Sequence, residues 1–445
     1  MKLARKLNAF DATLIVAGGI VGAGIFRNPS VVAQRVHTTP LILGVWIFGG
    51  LVAIIGGFVF AELAWRRPAS GGLYGYMRDA FHPSVAFMYG WTALWVSQSG
   101  GMAAAAVTFA AYLMPLFGGS LAPWIPAAAV ILVLSAINCF GVREGGTAQN
   151  LLMLLKIAVI AALIVGGIVA SPIARHAVSV PPLPAMAPLA MLSIFGAALV
   201  PVLYAYDGWQ TAPFMDGELK DTRRTLPIGM VLGVVIVIVL YLGVTVVSVR
   251  VLGATGLSAT DTPASDVMRA AFGPLGERII AIGVALSTLG FISNQVLTSP
   301  RIYYAMATDG LFFKSLAWVH PRSRVPLVAI GVQAIVAIAI AAWGRYDQIL
   351  NYVTAMDFIF LGLAAIALFI FLRRQGASPE ERGVRVPLHP WSTAFFILVS
   401  AAVVINTYVA FPKESLIGLG ILLSGIPAYW LWRALRAELP TIAAG

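Results

Sequence analysis

Long apolar runs recur along the whole chain, separated by short polar connections, and no stretch alternates apolar and polar residues as a membrane β-strand would. At a helical rise of about 1.5 Å per residue, such runs are long enough to cross a bilayer as helices. The pattern predicts twelve spans: Phe10–Arg35, Leu41–Trp65, Val85–Pro115, Trp124–Phe140, Asn150–Ala170, Leu189–Met215, Ile228–Val249, Leu275–Thr308, Leu327–Trp343, Ile349–Leu372, Trp391–Phe411 and Leu416–Trp432. The expected fold class is all-α integral membrane.

Two spans contain residues that interrupt a helix. Span 1 carries AGGIVGAGIFRNP at 17–29, where Gly18, Gly19, Gly22 and Gly24 weaken the helix because glycine loses the most backbone entropy on ordering. Span 6 carries YAYDGW at 204–209, with Asp207 and Gly208 well inside an apolar run. Unwound backbone at membrane depth is tolerated where protein or a water-filled cavity satisfies it, so each interruption marks a candidate binding site. For the glycines alone, close helix packing is an equal reading, since Gly18 and Gly22 have small-xxx-small spacing. The two breaks lie five spans apart. An odd number reverses orientation, so the second unit is expected to be inverted relative to the first. The domains follow as a core over 1–373 (helices 1–5 about 10–170, helices 6–10 about 189–372), with two further helices and a tail over 374–445.

The composition agrees with this outline. Hydrophobic residues make up 60% of the 445 and charged residues 11%, far below the roughly 25% charged of soluble domains. The net charge of +11 would suggest nucleic acid as a partner of a soluble protein. Here the basic residues, among them Lys2, Arg66, Arg143, Arg224, Arg322, Arg374 and Arg433, gather in alternate connections, which places those connections and both termini in the cytoplasm. Cys139 is the single cysteine, so neither an intrachain disulfide nor a cysteine metal cluster can form. No cleavable signal peptide is expected at the N-terminus; the first span serves as the insertion signal.

Four segments together carry a resemblance: GGIVGAGIF in span 1, FAELAWRRPASGGLYGYMRDAF after span 2, YAYDGWQTAPFMDGELKDTRRTLPIGM at span 6, and RIYYAMATDGLFFKSLAWVHPRSRVPLVAI between spans 8 and 9. In this order and spacing they resemble the amino acid, polyamine and organocation (APC) superfamily, and within it the L-type amino acid transporters and their bacterial neutral amino acid exchangers. The resemblance covers about 7–374. It implies a LeuT-type fold, with a five-plus-five inverted repeat and discontinuous helices 1 and 6.

It also implies roles for residues. The substrate carboxylate would meet the amides of Gly22, Ala23 and Gly24. The α-ammonium would meet carbonyls near Ile20, Val21, Tyr204, Ala205 and Asp207. Tyr204 would cap the substrate and Trp209 would stand beside it, although packing accounts for both rings equally well. Where the family often has serine, this chain has Ala23. Asp207 reads either as a counter-ion for a cationic substrate or as part of the AYDGW pattern that transporters of neutral amino acids also carry. Lys156 can snorkel to the interface on its long stem. By resemblance it would instead occupy the region of a sodium site in related symporters, facing span 1 carbonyls and Ser287 or Thr288, so that transport needs no sodium.

Arg27, Asp357 and Phe358 are candidates for a gate or vestibule. An arginine on the outer half of span 1 has to face water or a carboxylate. Small residues in span 3 (Ser97, Ser99, Gly100) leave the substrate's size open. Glu62 and Arg66 stand four residues apart and predict a structural ion pair. His82, His320 and His389 lack metal-ligand spacing, no nucleophile-and-base arrangement appears, and a channel's repeated polar rings are missing. The expectation is a sodium-independent exchanger of neutral amino acids in the cell (inner) membrane, without catalytic residues, metal or cofactor. Its partners would be a small-molecule amino acid and lipid, with no nucleic acid and no obligatory accessory subunit. Proton-coupled symport, exchange of cationic amino acids or amines, and a nontransporting sensor remain as alternatives.

Overall fold

A computed structural model of the chain describes residues 8–67, 72–114, 121–140, 142–170, 188–210, 213, 221–344, 346–375 and 384–437. Every regular element among them is a helix. The first helix, α1 (Ala9–Ile20), starts at Asn8, whose side chain accepts from the amides of Phe10 and Asp11 while the Asp11 carboxylate accepts from the Asn8 amide over 2.9 Å. This capping box satisfies amides that would otherwise enter the membrane region bare. The chain leaves the helix at Val21 and resumes as α2 (Gly24–Val36), bent by 40° from α1. Between the two lie the residues expected to break span 1.

The chain continues through α3 (Thr39–Arg66), α4 (Leu73–Ala80), α5 (Pro83–Thr92), α6 (Gln98–Leu113), α7 (Trp124–Cys139) and α8 (Val142–Val169). A π-helical turn at Ala93–Ser97 joins α5 to α6. After α9 (Pro188–Tyr206), which ends at the second expected break, come α10 (Thr222–Ser258), α11 (Pro263–Thr298), α12 (Pro300–Thr308), α13 (Leu327–Trp343), α14 (Tyr346–Gln375), α15 (Trp391–Ala410) and α16 (Pro412–Ala437). Among the described residues, seven helices are long and apolar enough to cross a membrane, or eight with the bent α1–α2 pair counted as one. Three shorter apolar helices accompany them, at Trp124–Cys139, Met191–Tyr206 and Leu327–Trp343.

Several connections differ from expectation. The segment after span 2, expected as a loop, contains α4. Residues Leu73, Tyr74, Tyr76 and Met77 of this helix are buried, so tertiary packing holds a helix too short to persist alone. The turn expected at 141–146 is shorter, because α8 is already helical from Val142. The connection between spans 7 and 8 is largely helical: α10 runs on to Ser258 past a bend at Gly253, and α11 begins at Pro263 and bends at Gly273. The proline-rich connection at 171–187, and most of the acidic and basic segment after span 6, at 214–220, lie outside the described residues.

Between helices in lipid, close packing and hydrogen bonds supply what water expulsion supplies in soluble cores. Here α10 packs along α3 and α1, α11 packs along α8 and α6, and α14 runs beside α6, α9, α15 and α16. Small residues permit the closest approaches. Gly49 of α3 faces Val202 of α9, and Gly56 faces Trp209 and Phe396. The Glu62 side chain, 2% exposed, pairs with Arg66 over 2.7 Å and accepts the Val386 amide over 2.7 Å. The expected ion pair therefore also anchors the connection between α14 and α15.

Candidate functional site

The two breaks meet. Gly208 has φ +123°, a conformation reserved for glycine, and a Cβ there would strike the Gly19 carbonyl. Gly24 approaches Ala205 so closely that a Cβ would lie 2.9 Å from the Ala205 Cα. Asn28 of α2 donates to the Pro201 carbonyl of α9 over 2.6 Å. A carbonyl oxygen has two lone pairs, so Pro201 O can accept from Asn28 and still serve its own helix while the link joins the broken helices.

Around this junction lies a narrow cavity of about 40 Å³, lined by Gly19, Ile20, Gly22, Ala23 and Gly24 from the first break and by Tyr204, Ala205, Asp207, Gly208 and Gln210 from the second. Ser97, Gln98, Gly101 and Ala105 of the π-turn and α6, Phe291 and Gln295 of α11, and Val353 and Asp357 of α14 complete the wall. Ala23, the N-cap of α2, makes no side-chain capping hydrogen bond. Its first amides and the positive end of its dipole therefore face the cavity, an arrangement suited to a carboxylate.

The carbonyls of the first break are partly engaged. Lys156 Nζ of α8 donates to Gly18 O over 3.1 Å and to Val21 O over 2.7 Å, and the side chain is 1% exposed. The phenol of Tyr241 donates to Ile20 O over 3.1 Å. The carbonyls of Ile20 and Val21, expected to face a substrate ammonium, thus already accept from protein, each with one further lone pair. The Phe291 ring sits 5.9 Å from the Lys156 ammonium and covers Gly22. Lys156 points inward to the break and does not reach the interface. Thr288 donates to its own helix at Ala285 O over 2.7 Å, and the Ser287 hydroxyl is buried with no partner among the described residues. Neither hydroxyl hydrogen-bonds the ammonium.

Other expected residues stand apart from the cavity. Trp209 is fully buried against Gly56 and Phe396, because its ring follows the break and turns towards α3. Phe358 is buried in the core beside the cavity-lining Asp357 and does not line it. Arg27 points outward from α2, 3.9 Å from Asp261, whose side chain is 82% exposed. Asp357 does line the cavity, where its carboxyl meets that of Asp207 and the Ser97 side chain. Gln98, Gln210, Phe291 and Gln295 escaped sequence reasoning, since each sits on or beside a regular helix with nothing to distinguish it from packing. Gln210 accepts from the Gly208 amide over 3.0 Å, and Gln98 accepts from Ser299 over 2.9 Å.

Away from the cavity two of the motif segments meet. Tyr74 of α4 donates to Asp309 Oδ2 over 2.8 Å, and Arg78 bonds the same oxygen over 2.6 Å. Burial, and then the hydrogen bond to Asp309, hold the Tyr74 phenol well above its usual pKa. Among the described residues no group of three or more His, Cys, Asp or Glu is placed to hold a metal ion.

Comparison with known proteins gives a consistent result. The profile of a family described as amino acid permease matches residues 7–426. The serine/threonine exchanger SteT of Bacillus subtilis is 29% identical over 444 residues, covering 98% of each chain. The b(0,+)-type amino acid transporter 1 of Mus musculus is 27% identical over 440 residues, 97% of this chain and 88% of the relative. The large neutral amino acids transporter small subunit 2 of Homo sapiens is 28% identical over 447 residues, 96% of this chain and 80% of the relative.

Proposed function

This chain belongs to the amino acid permease family of the APC superfamily, and from that premise we propose that it exchanges neutral amino acids across the cell membrane without sodium. The chain is a multi-pass membrane protein that transports amino acids and is not an enzyme. The finer reading rests on one observation above the others: the Lys156 ammonium on the Gly18 and Val21 carbonyls. A fixed cation bound to the carbonyls of a broken helix supplies the charge that a sodium ion would otherwise bring.

Substrate recognition follows from the opposed ends of the break. The carboxylate of a zwitterion docks at the Gly22, Ala23 and Gly24 amides, while its ammonium faces Asp207 and the carbonyls near Tyr204 and Ala205. The narrowness of the cavity means that its walls part to admit substrate, and closure of the two breaks on each other suits alternating access. We read the whole as twelve spans with a five-plus-five inverted repeat, both termini cytoplasmic. Names among the relatives, an exchanger and a transporter of neutral amino acids, support the substrate class. One relative is named as a small subunit. Cys139 at the end of α7 is the single thiol here, and we propose a carrier that works without an accessory chain.

The Asp207 carboxyl in the cavity wall favours one second reading, exchange of cationic amino acids or amines. A thermal-shift screen of the purified protein against the common amino acids separates the two. Stabilisation by neutral amino acids supports the first reading, and stabilisation confined to lysine, arginine or amines contradicts it.

A further inference from the structure

Two carboxyls at membrane depth face one another in the cavity wall. Asp207 comes from the second break and Asp357 from the middle of α14, and their side chains meet. Asp357 is 8% exposed. The groups set against Asp207 are Asp357, Gln210 and the Gly208 amide; those set against Asp357 are Asp207 and Ser97. None of these is a cation. One Asp207 oxygen is buried without a hydrogen-bond donor among the described residues.

Among the described residues the surrounding elements add phenols to the pair. Tyr89 of α5 lies within electrostatic range of Asp357, Asp207 and Tyr303 of α12. Both phenol oxygens are buried without partners among the described residues. The nearby ammonium of Lys156 is bound to the Gly18 and Val21 carbonyls, and Arg27 lies by Asp261 beyond α2. Asp207 as a residue is half-buried, but two adjacent carboxylates, one of them with a buried oxygen, and with no cation beside them among the described residues, repel one another if both are ionised, and the arrangement is stable when one proton lies between them.

We infer that Asp207 and Asp357 form a proton-binding site: the pair shares one proton and presents a single negative charge to the cavity. This deepens the proposed function and rests on the same placement of the substrate. With one proton held, the remaining charge matches one ammonium, that of a zwitterionic amino acid whose carboxylate is neutralised at the α2 amides. A substrate with a second ammonium balances only if it takes the place of the proton, which then leaves to water. The pair thereby links substrate charge to protonation. No atom of the substrate is altered.

Infrared spectroscopy of the purified protein tests this without transport. A buried protonated carboxyl gives a carbonyl stretch, distinct from ionised carboxylates, that shifts in heavy water. Wild-type protein at neutral pH is expected to show this band. Asp357→Asn and Asp207→Asn are each expected to lose it, because an asparagine amide donates to the remaining carboxylate as the proton did. Absence of the band from wild type overturns the inference even if neither variant folds. Persistence of the band in either folded variant also overturns it, since the proton then belongs to one residue or lies elsewhere. Sodium-independent exchange is measured separately in vesicles, so failure of that reading and failure of this one are distinguishable.

Discussion

The Lys156 ammonium donates to the Val21 carbonyl over 2.7 Å, which places a charge of α8 at the point where α1 stops being helical. Its second bond, to Gly18 O, spans the last turn of α1. The bend is therefore held from outside its own helix, which is what a hinge needs if it is to stay in register while moving.

Replacing Lys156 by alanine removes both bonds. A hydrogen bond to a charged group is worth about 1.5–3 kcal/mol, so exchange is expected to slow by roughly tenfold or more. The protein should remain folded by circular dichroism and size exclusion. Unchanged exchange kinetics in the folded variant would make the lysine a packing residue.

Gly208→Ala brings a Cβ against the Gly19 carbonyl at a φ of +123°. Strain of this kind costs about 1–3 kcal/mol before any clash is counted. The expected result is a lowered melting temperature together with loss of exchange, because the methyl separates the breaks that the site needs in contact. Full activity at unchanged stability would mean that the junction is looser than described.

Glu62, itself buried, ties the half-buried Arg66 and the Val386 amide together. Removing one partner of a buried pair costs about 3–5 kcal/mol because the other charge is left unpaired. Arg66→Ala should accordingly show a large loss of stability on thermal denaturation in detergent. The pair of Arg27 and Asp261 is a contrast, since Asp261 is exposed. Asp261→Asn should change stability by less than about 1 kcal/mol.

Asp309 receives bonds from both Tyr74 and Arg78, fastening α4 to the segment after α12. The Tyr74 phenol keeps its proton in the folded protein to higher pH than in the unfolded chain. Its contribution is present below the ordinary tyrosine pKa of about 10 and is lost as pH rises above it. Tyr74→Phe should therefore be less sensitive to alkaline denaturation than wild type, as read from melting temperatures across that range. Equal sensitivity would show that Tyr74 contributes nothing to the alkaline limb.

Much of this was legible in the chain because the site is made where helices fail. The glycines at 18–24 and the AspGly pair at 207–208 depart from an apolar background, and Lys156 is conspicuous as a charge within a run. Phe291, Gln295 and Val353 were not legible, since a regular helix gives no local sign of which face meets a cavity. The place of Trp209 stayed open between substrate and packing for a related reason: the break releases the backbone, and only packing against Gly56 and Phe396 decides where the ring goes. The helix α4 was missed because eight residues carry too little periodicity of their own. The meeting of Asp207 with Asp357 joins positions far apart in sequence and appears only once α9 and α14 are packed.

The central claim is exchange of neutral amino acids without sodium. Purified protein reconstituted into liposomes should take up radiolabelled serine or a larger neutral amino acid rapidly when the lumen holds unlabelled neutral amino acid, equally in sodium and in choline. Uptake that requires sodium, or that proceeds as fast into empty liposomes as into loaded ones, would contradict the account.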